Sequence, residues 1–299
     1  MTQGTLRSDV CVVGAGPAGL VLGAELVAHG LDVLVLESGA EPPSPAVQAL
    51  NDGTVLGDAY AGLAATRHRG VGGTAGIWNT VTGGEIGAKY VPLDAPDFEA
   101  RGAAGVPGWP FGPDELAPWY ERALSLCGLH EPSFEAAAWT SSDRRPLAGL
   151  GEPVVSRVYQ LASRRALVGG ALARLRRRVP SDAPSGNRLH TGATVVRLET
   201  EDGGARVAAA RVATSDGGSF RVEAERFVLA GGAIENARLL LVSAGRPGDL
   251  GDAGGWVGRC FMEHPRDTAL RIVPGSASFY READPGTIRR AVSRGCSMK

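Results

Sequence analysis

The sequence predicts an α/β fold built on a parallel β-sheet, and two observations support this prediction. Near the start of the chain, an apolar strand leads through a glycine-rich turn into a helix and a second strand, which is a βαβ unit. Late in the chain, another buried strand runs into a glycine turn and a helix. The region between the two units is broken by prolines, which indicates a second structural part. The 299 residues suffice for one large or two ordinary domains.

The βαβ unit opens the chain. Residues 9–13 (DVCVV) are a short run rich in β-branched residues, as is typical of a buried parallel strand. The first glycine turn, residues 14–19 (GAGPAG), follows directly. Residues 20–29 carry apolar side chains at helical spacing and stop at Gly30, a favourable helix C-cap. Residues 31–36 (LDVLVL) predict the second strand.

The residues of the first glycine turn suit a dinucleotide. Gly14 permits a tight turn, Gly16 lets the backbone approach a pyrophosphate, and Gly19 lets the helix pack closely on the strand. The helix that begins around Pro17 and Ala18 directs its free N–H groups at the anion. These five residues form the first part of a predicted cofactor site.

An acidic residue ends the second strand. Glu37 follows the first glycine turn by about 20 residues, where a carboxylate can accept hydrogen bonds from both ribose hydroxyls. An acid here argues against a 2′-phosphate and hence against NADP. We include Ser38, the next residue, in the predicted site. The alternative is a Rossmann-like unit that keeps its glycines for packing alone.

Glycines recur in a loop at residues 67–79 (RHRGVGGTAGIWN). The pair Gly72 and Gly73 predicts a segment whose backbone N–H groups come near a ligand, and we call residues 70–74 the glycine loop. Taken alone, an ordinary glycine-rich loop explains this segment equally well.

A second strand-to-glycine-turn unit separates flavin sites from simple NAD sites. The predicted elements are a strand at 188–198, a hairpin of 205–215 and 219–222 turning at Gly217 and Gly218, a buried strand from Phe227 and a helix at 234–243. The strand from Phe227 runs into Ala230 and Gly231, which we call the second glycine turn. Two-part flavin domains typically use such a unit to approach the cofactor from another side.

A series of motifs resembles one family. They are 14–19 (GAGPAG), 69–74 (RGVGGT), 109–111 (WPF) with 115–120 (ELAPWY), 228–241 (VLAGGAIENARLLL) and 257–265 (VGRCFMEHP). Over residues 8–265 their order is similar to that of glucose–methanol–choline oxidoreductases, with bacterial sugar or aminoglycoside alcohol oxidases and dehydrogenases nearest. The resemblance implies an α/β fold with a Rossmann-like FAD-binding domain and an incomplete α+β substrate domain that carries an antiparallel sheet.

The resemblance also implies a segment order and further site residues. The expected segments are 1–89 and 181–265 for the FAD-binding domain, 90–180 for the substrate side and cap, and 266–299 for the start of a truncated substrate domain. The implied FAD contacts are Gly72, Gly73, Thr74 and Asn79 against the flavin, Val196 by the adenine, and Ala230 and Gly231 in the second glycine turn.

Two positions depart from the family pattern. Some relatives tether FAD through a histidine where this chain has Ile77, so we expect non-covalent FAD. The usual Thr-Pro of the last helix is Asn236-Ala237 here. The helix start should still form, but a flavin contact there cannot be carried over.

The family oxidises an alcohol by hydride transfer to flavin N5, while a histidine near its C-terminus removes the hydroxyl proton. This sequence stops at Lys299, before that region, so we assign no catalytic residue and expect the chain to be inactive alone. The histidines present are His29, His68, His130, His190 and His264, and their spacing suggests neither a triad nor a metal site. Of these five, His68, beside the glycine loop, is the best candidate for a substitute base. The alternatives to truncation are a half-enzyme completed by a second polypeptide and a non-catalytic flavin-binding remnant.

Composition limits the partners. A net charge of −1, with 21% charged and 43% hydrophobic residues, gives no electrostatic case for nucleic acid or a membrane surface. The four cysteines lie far apart and predict neither a zinc site nor a disulfide framework, so a reducing cytoplasm is expected by elimination. The expected partners are a small-molecule alcohol and oxygen or another electron acceptor.

Overall fold

The computed structural model describes residues 2–39, 42, 44–58, 60, 62–78, 80–82, 84–102, 105–130, 133–139, 158–176, 189–263 and 296–298. The chain divides into two compact units. Unit 1 comprises Met1–Trp78 and Val168–Phe261, and unit 2 comprises Asn79–Leu167 and Met262–Lys299. The four-segment domain order expected from the sequence stays a prediction.

The helices and strands of the described residues follow in chain order. They are β1 (Thr2–Val13), α1 (Pro17–Ala28), β2 (Val33–Leu36), α2 (Pro45–Gln48), β3 (Thr80–Thr82), β4 (Glu85–Tyr90), α3 (Ala95–Phe98), α4 (Pro113–Leu126), β5 (Val158–Ser163), α5 (Gly170–Arg176), β6 (Leu189–His190), β7 (Ala193–Glu201), β8 (Arg206–Thr214), β9 (Ser219–Leu229), α6 (Ala233–Ser243) and β10 (Cys296–Met298).

Unit 1 is built on a six-stranded sheet in the order β6-β2-β1-β9-β8-β7. The strands β6, β2, β1 and β9 run parallel, while β8 and β7 join antiparallel to form a meander with β9. The predicted α/β fold with a parallel sheet is therefore confirmed.

The strand β9 differs from the sequence prediction. It runs unbroken from Ser219 to Leu229, whereas the sequence predicted a hairpin strand at 219–222 and a separate buried strand from Phe227. Alternation continues through this stretch, because Val222 and Ala224 face the core while Glu223 pairs with Arg7 on the neighbouring β1. This part of β9 is paired with β1 through a surface ion pair as well as backbone hydrogen bonds. Its sequence therefore lacks the continuous apolar run that indicates a buried strand.

Both faces of the parallel strands are buried, which explains their nearly continuous apolar sequences. On one face, Val10, Val12, Val33 and Val35 pack with residues of α1 and α5. On the other face, Cys11, Leu34 and Leu36 pack with residues of the meander and α6. The parallel strands are therefore packed on both faces where their carboxyl ends carry the glycine turns.

Unit 2 contains a four-stranded antiparallel sheet in the order β10-β5-β4-β3. The helix α4 begins at Pro113, and Leu124, Cys127 and Leu129 at its end pack against Ala162 of β5. Over the described residues of both units, no helix combines the length and apolar character needed to cross a membrane.

Candidate dinucleotide-binding site

The carboxyl ends of three parallel strands meet at the first glycine turn. The N–H of Gly14 donates to the carbonyl of Leu36 at the end of β2, at 2.7 Å. On the other side, the N–H of Ala230 donates to the carbonyl of Val13 at 2.8 Å. The end of β1 therefore lies between β2 and β9, the position where open α/β sheets bind their ligands.

The three glycines of this turn are not equivalent. Gly14 has φ +107°, and a Cβ there would lie 2.6 Å from the carbonyl oxygen of Ala230. A Cβ on Gly19 would lie only 2.0 Å from the carbonyl oxygen of Gly14. Backbone conformation and packing therefore explain these two glycines without any ligand.

Neither backbone conformation nor packing requires a glycine at position 16. Its φ of −71° is open to any residue. A Cβ there would find its nearest protein atoms at 4.0 Å, so the protein leaves space for it. A ligand that touches the backbone does require glycine here. Because α1 begins at the next residue, Pro17, the site fits a pyrophosphate placed at a helix N-terminus.

Glu37 is buried at the end of β2, with 6% of its surface exposed. Its carboxylate accepts hydrogen bonds from the N–H groups of Ala15, at 2.8 Å, and Gly39, at 2.7 Å. Burial raises the pKa of Glu37, while the N–H groups of Gly39 and Ala15 and the charge of Arg69 oppose the rise. Glu37 thus ties the first glycine turn to β2, a role that the sequence did not predict. Its carboxylate oxygens keep further lone pairs for a ribose.

The structure brings the glycine loop onto the first glycine turn. The N–H of Gly72 donates to the carbonyl of Ala15 at 2.8 Å. A Cβ on Gly73 would lie 2.9 Å from the Cα of Gly16, so the two backbones are in direct contact. Thr74 is exposed beside them. Asn79, predicted in the same group, lies outside the described residues.

The second glycine turn is closed by the residue that departs from the family pattern. The side-chain oxygen of Asn236 accepts the N–H of Gly231 at 2.8 Å, and its amide group donates to the carbonyl of Leu229 at 3.0 Å. The expected helix start forms as α6, which follows from Ala233. Asn236 therefore fixes Ala230 and Gly231 in place.

Val196 lies on β7, which starts beside the end of β2. The N–H of Ala193 donates to the carbonyl of Glu37 at 2.8 Å. The pairing register of β7 with β8 shifts between Val195 and Arg197, so Val196 lies at a bulge, where it is 39% exposed. Bulges re-aim side chains next to functional sites. An exposed valine on this strand is compatible with an adenine contact.

Three histidines make contacts within the protein. The Nδ1 of His29 lies 2.8 Å from a carbonyl oxygen one turn earlier in α1. The ring of His190 lies 6.0 Å from a phenylalanine ring. The Nδ1 of His68 lies 3.2 Å from the carbonyl oxygen of Gly73, so His68 supports the glycine loop. His264 lies outside the described residues.

Sequence reasoning missed a group of charged residues behind these turns. Arg67 and Arg69, which precede the glycine loop, form ion pairs with Glu235 in the first turn of α6. Both arginines are evident beside the glycines in the sequence, but no spacing rule joins them to an acid so far along the chain.

Comparison with known proteins agrees with this geometry. The family described as FAD binding domain matches residues 7–58. The chain is 31% identical to 6'''-hydroxyparomomycin C oxidase of Streptomyces lividus, over 84% of this chain and 53% of that protein. It is 27% identical to 2-methyl-1,2-propanediol dehydrogenase of Mycolicibacterium austroafricanum, over 88% of this chain and 56% of that protein.

Among solved structures, the chain is similar to pyridoxine 4-oxidase from Mesorbium loti. The identity is 24% and the TM-score 0.48, over 83% of this chain and 54% of that one. The chain spans about half the length of the curated relatives it matches. The match of the FAD binding domain falls on the βαβ unit described above, and the curated relatives are named as an oxidase and a dehydrogenase. The chain is thus similar in sequence to oxidoreductases of the glucose–methanol–choline type, and the match over residues 7–58 identifies its dinucleotide as FAD.

Proposed function

We propose that this chain is the FAD-binding part of an enzyme that oxidises the CH–OH group of a sugar-like or other primary or secondary alcohol. The main support for the cofactor site is Gly16, where neither the backbone conformation nor the packing of the protein explains why the residue is a glycine. The alcohol substrate is supported by the relatives, which are named for a hydroxylated aminoglycoside and for a diol.

The bound flavin supplies the hydride acceptor, N5. In this proposal, Gly14, Gly16, Pro17, Ala18 and Gly19 hold the pyrophosphate against the start of α1. Glu37 and Ser38 hold the ribose, and Val196 lies by the adenine. The glycine loop, with Asn79, lies against the flavin, and the second glycine turn (Ala230 and Gly231) bounds the cofactor from another side.

The proposed attachment of FAD is non-covalent. The side chain at position 77 is a hydrocarbon, which is 44% exposed and has no nucleophilic atom. Acid or heat denaturation is therefore expected to release unmodified FAD.

We assign no catalytic base, because the spacing of the five histidines indicates neither a triad nor a metal site. His29, His68 and His190 make contacts inside unit 1, and His130 is exposed after the end of α4. Because these 299 residues span only about half the length of the curated relatives, we expect them to bind FAD but not to reduce it with an alcohol. A second polypeptide that supplies the base is the alternative arrangement, and oxygen or another acceptor would reoxidise the flavin. The cytoplasmic compartment stays a prediction.

The variant Gly16→Ala tests the cofactor site. It places a methyl group in space that the protein leaves open, so the apo chain should keep its fold and its unfolding temperature within a few degrees. Its affinity for FAD, measured by calorimetric titration, should fall at least about tenfold, because the methyl group displaces the pyrophosphate.

Gly4→Ala is the matched control, since Gly4 lies on β1 with no atom within 4 Å of where a Cβ would lie and should leave affinity unchanged. Equal affinity of Gly16→Ala and the wild type would remove the pyrophosphate from this turn. A folded wild-type chain that does not bind added FAD would refute the proposed function.

A further inference from the structure

Glu235 is the centre of a charged cluster in unit 1. Its carboxylate receives Arg67 Nη1 at 2.6 Å, Arg69 Nη2 at 2.9 Å and Arg238 Nε at 2.9 Å. The side chains of Arg67, Arg69 and Glu235 are only 15%, 10% and 16% exposed. The pairs of Glu235 with Arg67 and Arg69 are therefore shielded from solvent, unlike an ordinary surface ion pair, whereas Arg238 is 46% exposed.

Arg69 connects three separate segments of unit 1. Its Nη1 donates to the hydroxyl oxygen of Ser38, the residue after Glu37, at 2.8 Å. Its Nε donates to the side-chain oxygen of Asn51 at 2.8 Å. Its Nη2 pairs with Glu235 on α6. Since Arg69 directly precedes Gly70, one guanidinium anchors the start of the glycine loop to the end of β2 and to α6.

Arg67 adds a second set of connections. It pairs with Glu235 and also donates to the carbonyl oxygens of Asn51, at 2.6 Å, and Leu63, at 3.1 Å. The segment after α2 is thereby held against α6 from two sides. The guanidinium of Arg67 therefore bonds to other segments of unit 1 rather than pointing toward a ligand.

The charge of Glu235 is maintained by this environment. Burial alone would raise the pKa of Glu235, but the hydrogen bond from Arg67 and the charges of Arg69 and Arg238 outweigh it and lower the pKa. The carboxylate is therefore ionised at neutral pH, and three guanidinium groups face one carboxylate.

From this geometry we infer that Arg69 and Glu235 are positioning residues of the FAD site, which hold the end of β2, the glycine loop and α6 in register before the cofactor binds. The inference rests on the proposed FAD site. Neither residue needs to touch FAD, because both act through segments that do: Ser38 beside the ribose position, and the glycine loop that lies on Gly16.

A purely electrostatic role of Glu235 predicts the opposite change in FAD affinity. FAD carries a negatively charged pyrophosphate, so removal of the negative charge of Glu235 would strengthen its binding if long-range attraction decided the affinity. Loss of positioning would weaken it instead. Likewise, Arg69→Lys keeps the positive charge but cannot reach three segments at once, so only the positioning role predicts a loss of affinity.

The experiment compares the apo chains of wild type, Glu235→Gln, Arg69→Lys and Glu199→Gln. Glu199 is the matched control, because it also accepts two arginines, Arg211 and Arg221, but on the meander. FAD affinity is measured by calorimetric titration, the bound flavin by visible circular dichroism, and the apo fold by thermal unfolding.

We expect Glu235→Gln and Arg69→Lys each to raise the Kd for FAD by roughly tenfold or more and to change the flavin circular dichroism. Glu199→Gln should stay within about twofold of the wild type. If Glu235→Gln does not fold, Glu235→Asp, which keeps the charge on a shorter side chain, is tested by the same criterion.

Unchanged or tighter FAD binding by Glu235→Gln would overturn the inference while leaving the proposed function intact. An equal loss in Glu199→Gln would also overturn it, because the effect would then reflect general stability. A folded wild-type chain without FAD affinity would overturn the proposed function and the inference together.

Discussion

Two regions of unit 1 use the same chemistry in different surroundings. Around the glycine turns, Glu235 pairs with arginines that are 10% and 15% exposed and that lie far away in the sequence. On the meander, Glu199 of β7 pairs with Arg211 of β8 and Arg221 of β9, which are 61% and 37% exposed. Solvent screens the second set but not the first, so ion pairs of the same type should differ in consequence.

The glycines of the two regions differ in the same way. Gly217, in the hairpin turn of the meander, has φ +84° and nothing within 4 Å of the position a Cβ would take. Gly14 and Gly19 instead lie in backbone contact. A glycine in the meander therefore serves a local turn, whereas those near the site permit the close approach of segments. We therefore expect the same substitution to cost more stability near the proposed cofactor site than in the meander turn.

The largest expected effect comes from Gly19→Ala. Its Cβ would lie 2.0 Å from the carbonyl oxygen of Gly14, so α1 or the first glycine turn must move. We expect the free energy of unfolding to fall by about 3 kcal/mol. Gly217→Ala, the matched change in the meander, should cost only about 1 kcal/mol, from its positive φ. Denaturant unfolding measures both, and equal losses would remove the distinction between the two regions.

A smaller effect is expected for Glu37→Gln. The amide gives up one of two N–H···O bonds but also a charge that burial disfavours, so the free energy of unfolding should change by about 1 kcal/mol or less. Because burial raises the pKa of Glu37, its contribution is fully present below the unfolded-state pKa of about 4.3 and is lost as pH rises through the folded-state pKa.

Denaturant unfolding as a function of pH checks this prediction. The free energy of unfolding of the wild type should increase relative to that of Glu37→Gln as the pH falls toward about 4.3. A gain on raising the pH would show instead that the two backbone N–H groups outweigh the burial of this carboxylate.

The smallest effect is expected for Glu199→Gln, about 0.5 kcal/mol. The hydrogen bonds from Arg221 and Arg211 lower the pKa of Glu199, so its contribution is present above about pH 4.3 and is lost as pH falls through the folded-state pKa. Its pH dependence is thus opposite to that of Glu37, and about 1 M salt should abolish its effect at neutral pH. A loss that persists in high salt would mean that this pair is as shielded as the one at Glu235.

The sequence by itself determined the parts of the fold that depend on neighbouring residues. Hydrophobic periodicity and turn chemistry predicted the strand, the first glycine turn, the helix and the second strand of the βαβ unit. They also predicted the hairpin at Gly217 and the helix α6. These signals lie within a few residues of one another, so a single stretch of sequence contains them.

Only the tertiary structure decided which of these parts meet. It placed the glycine loop on Gly16, gave the carboxylate of Glu37 to two backbone N–H groups, and joined Arg69 to Glu235. It also joined two predicted strands into β9, because cross-strand ion pairs satisfy charges that look like a break in the sequence. Such contacts join residues far apart in the chain, and their energy depends on burial, which no local pattern records.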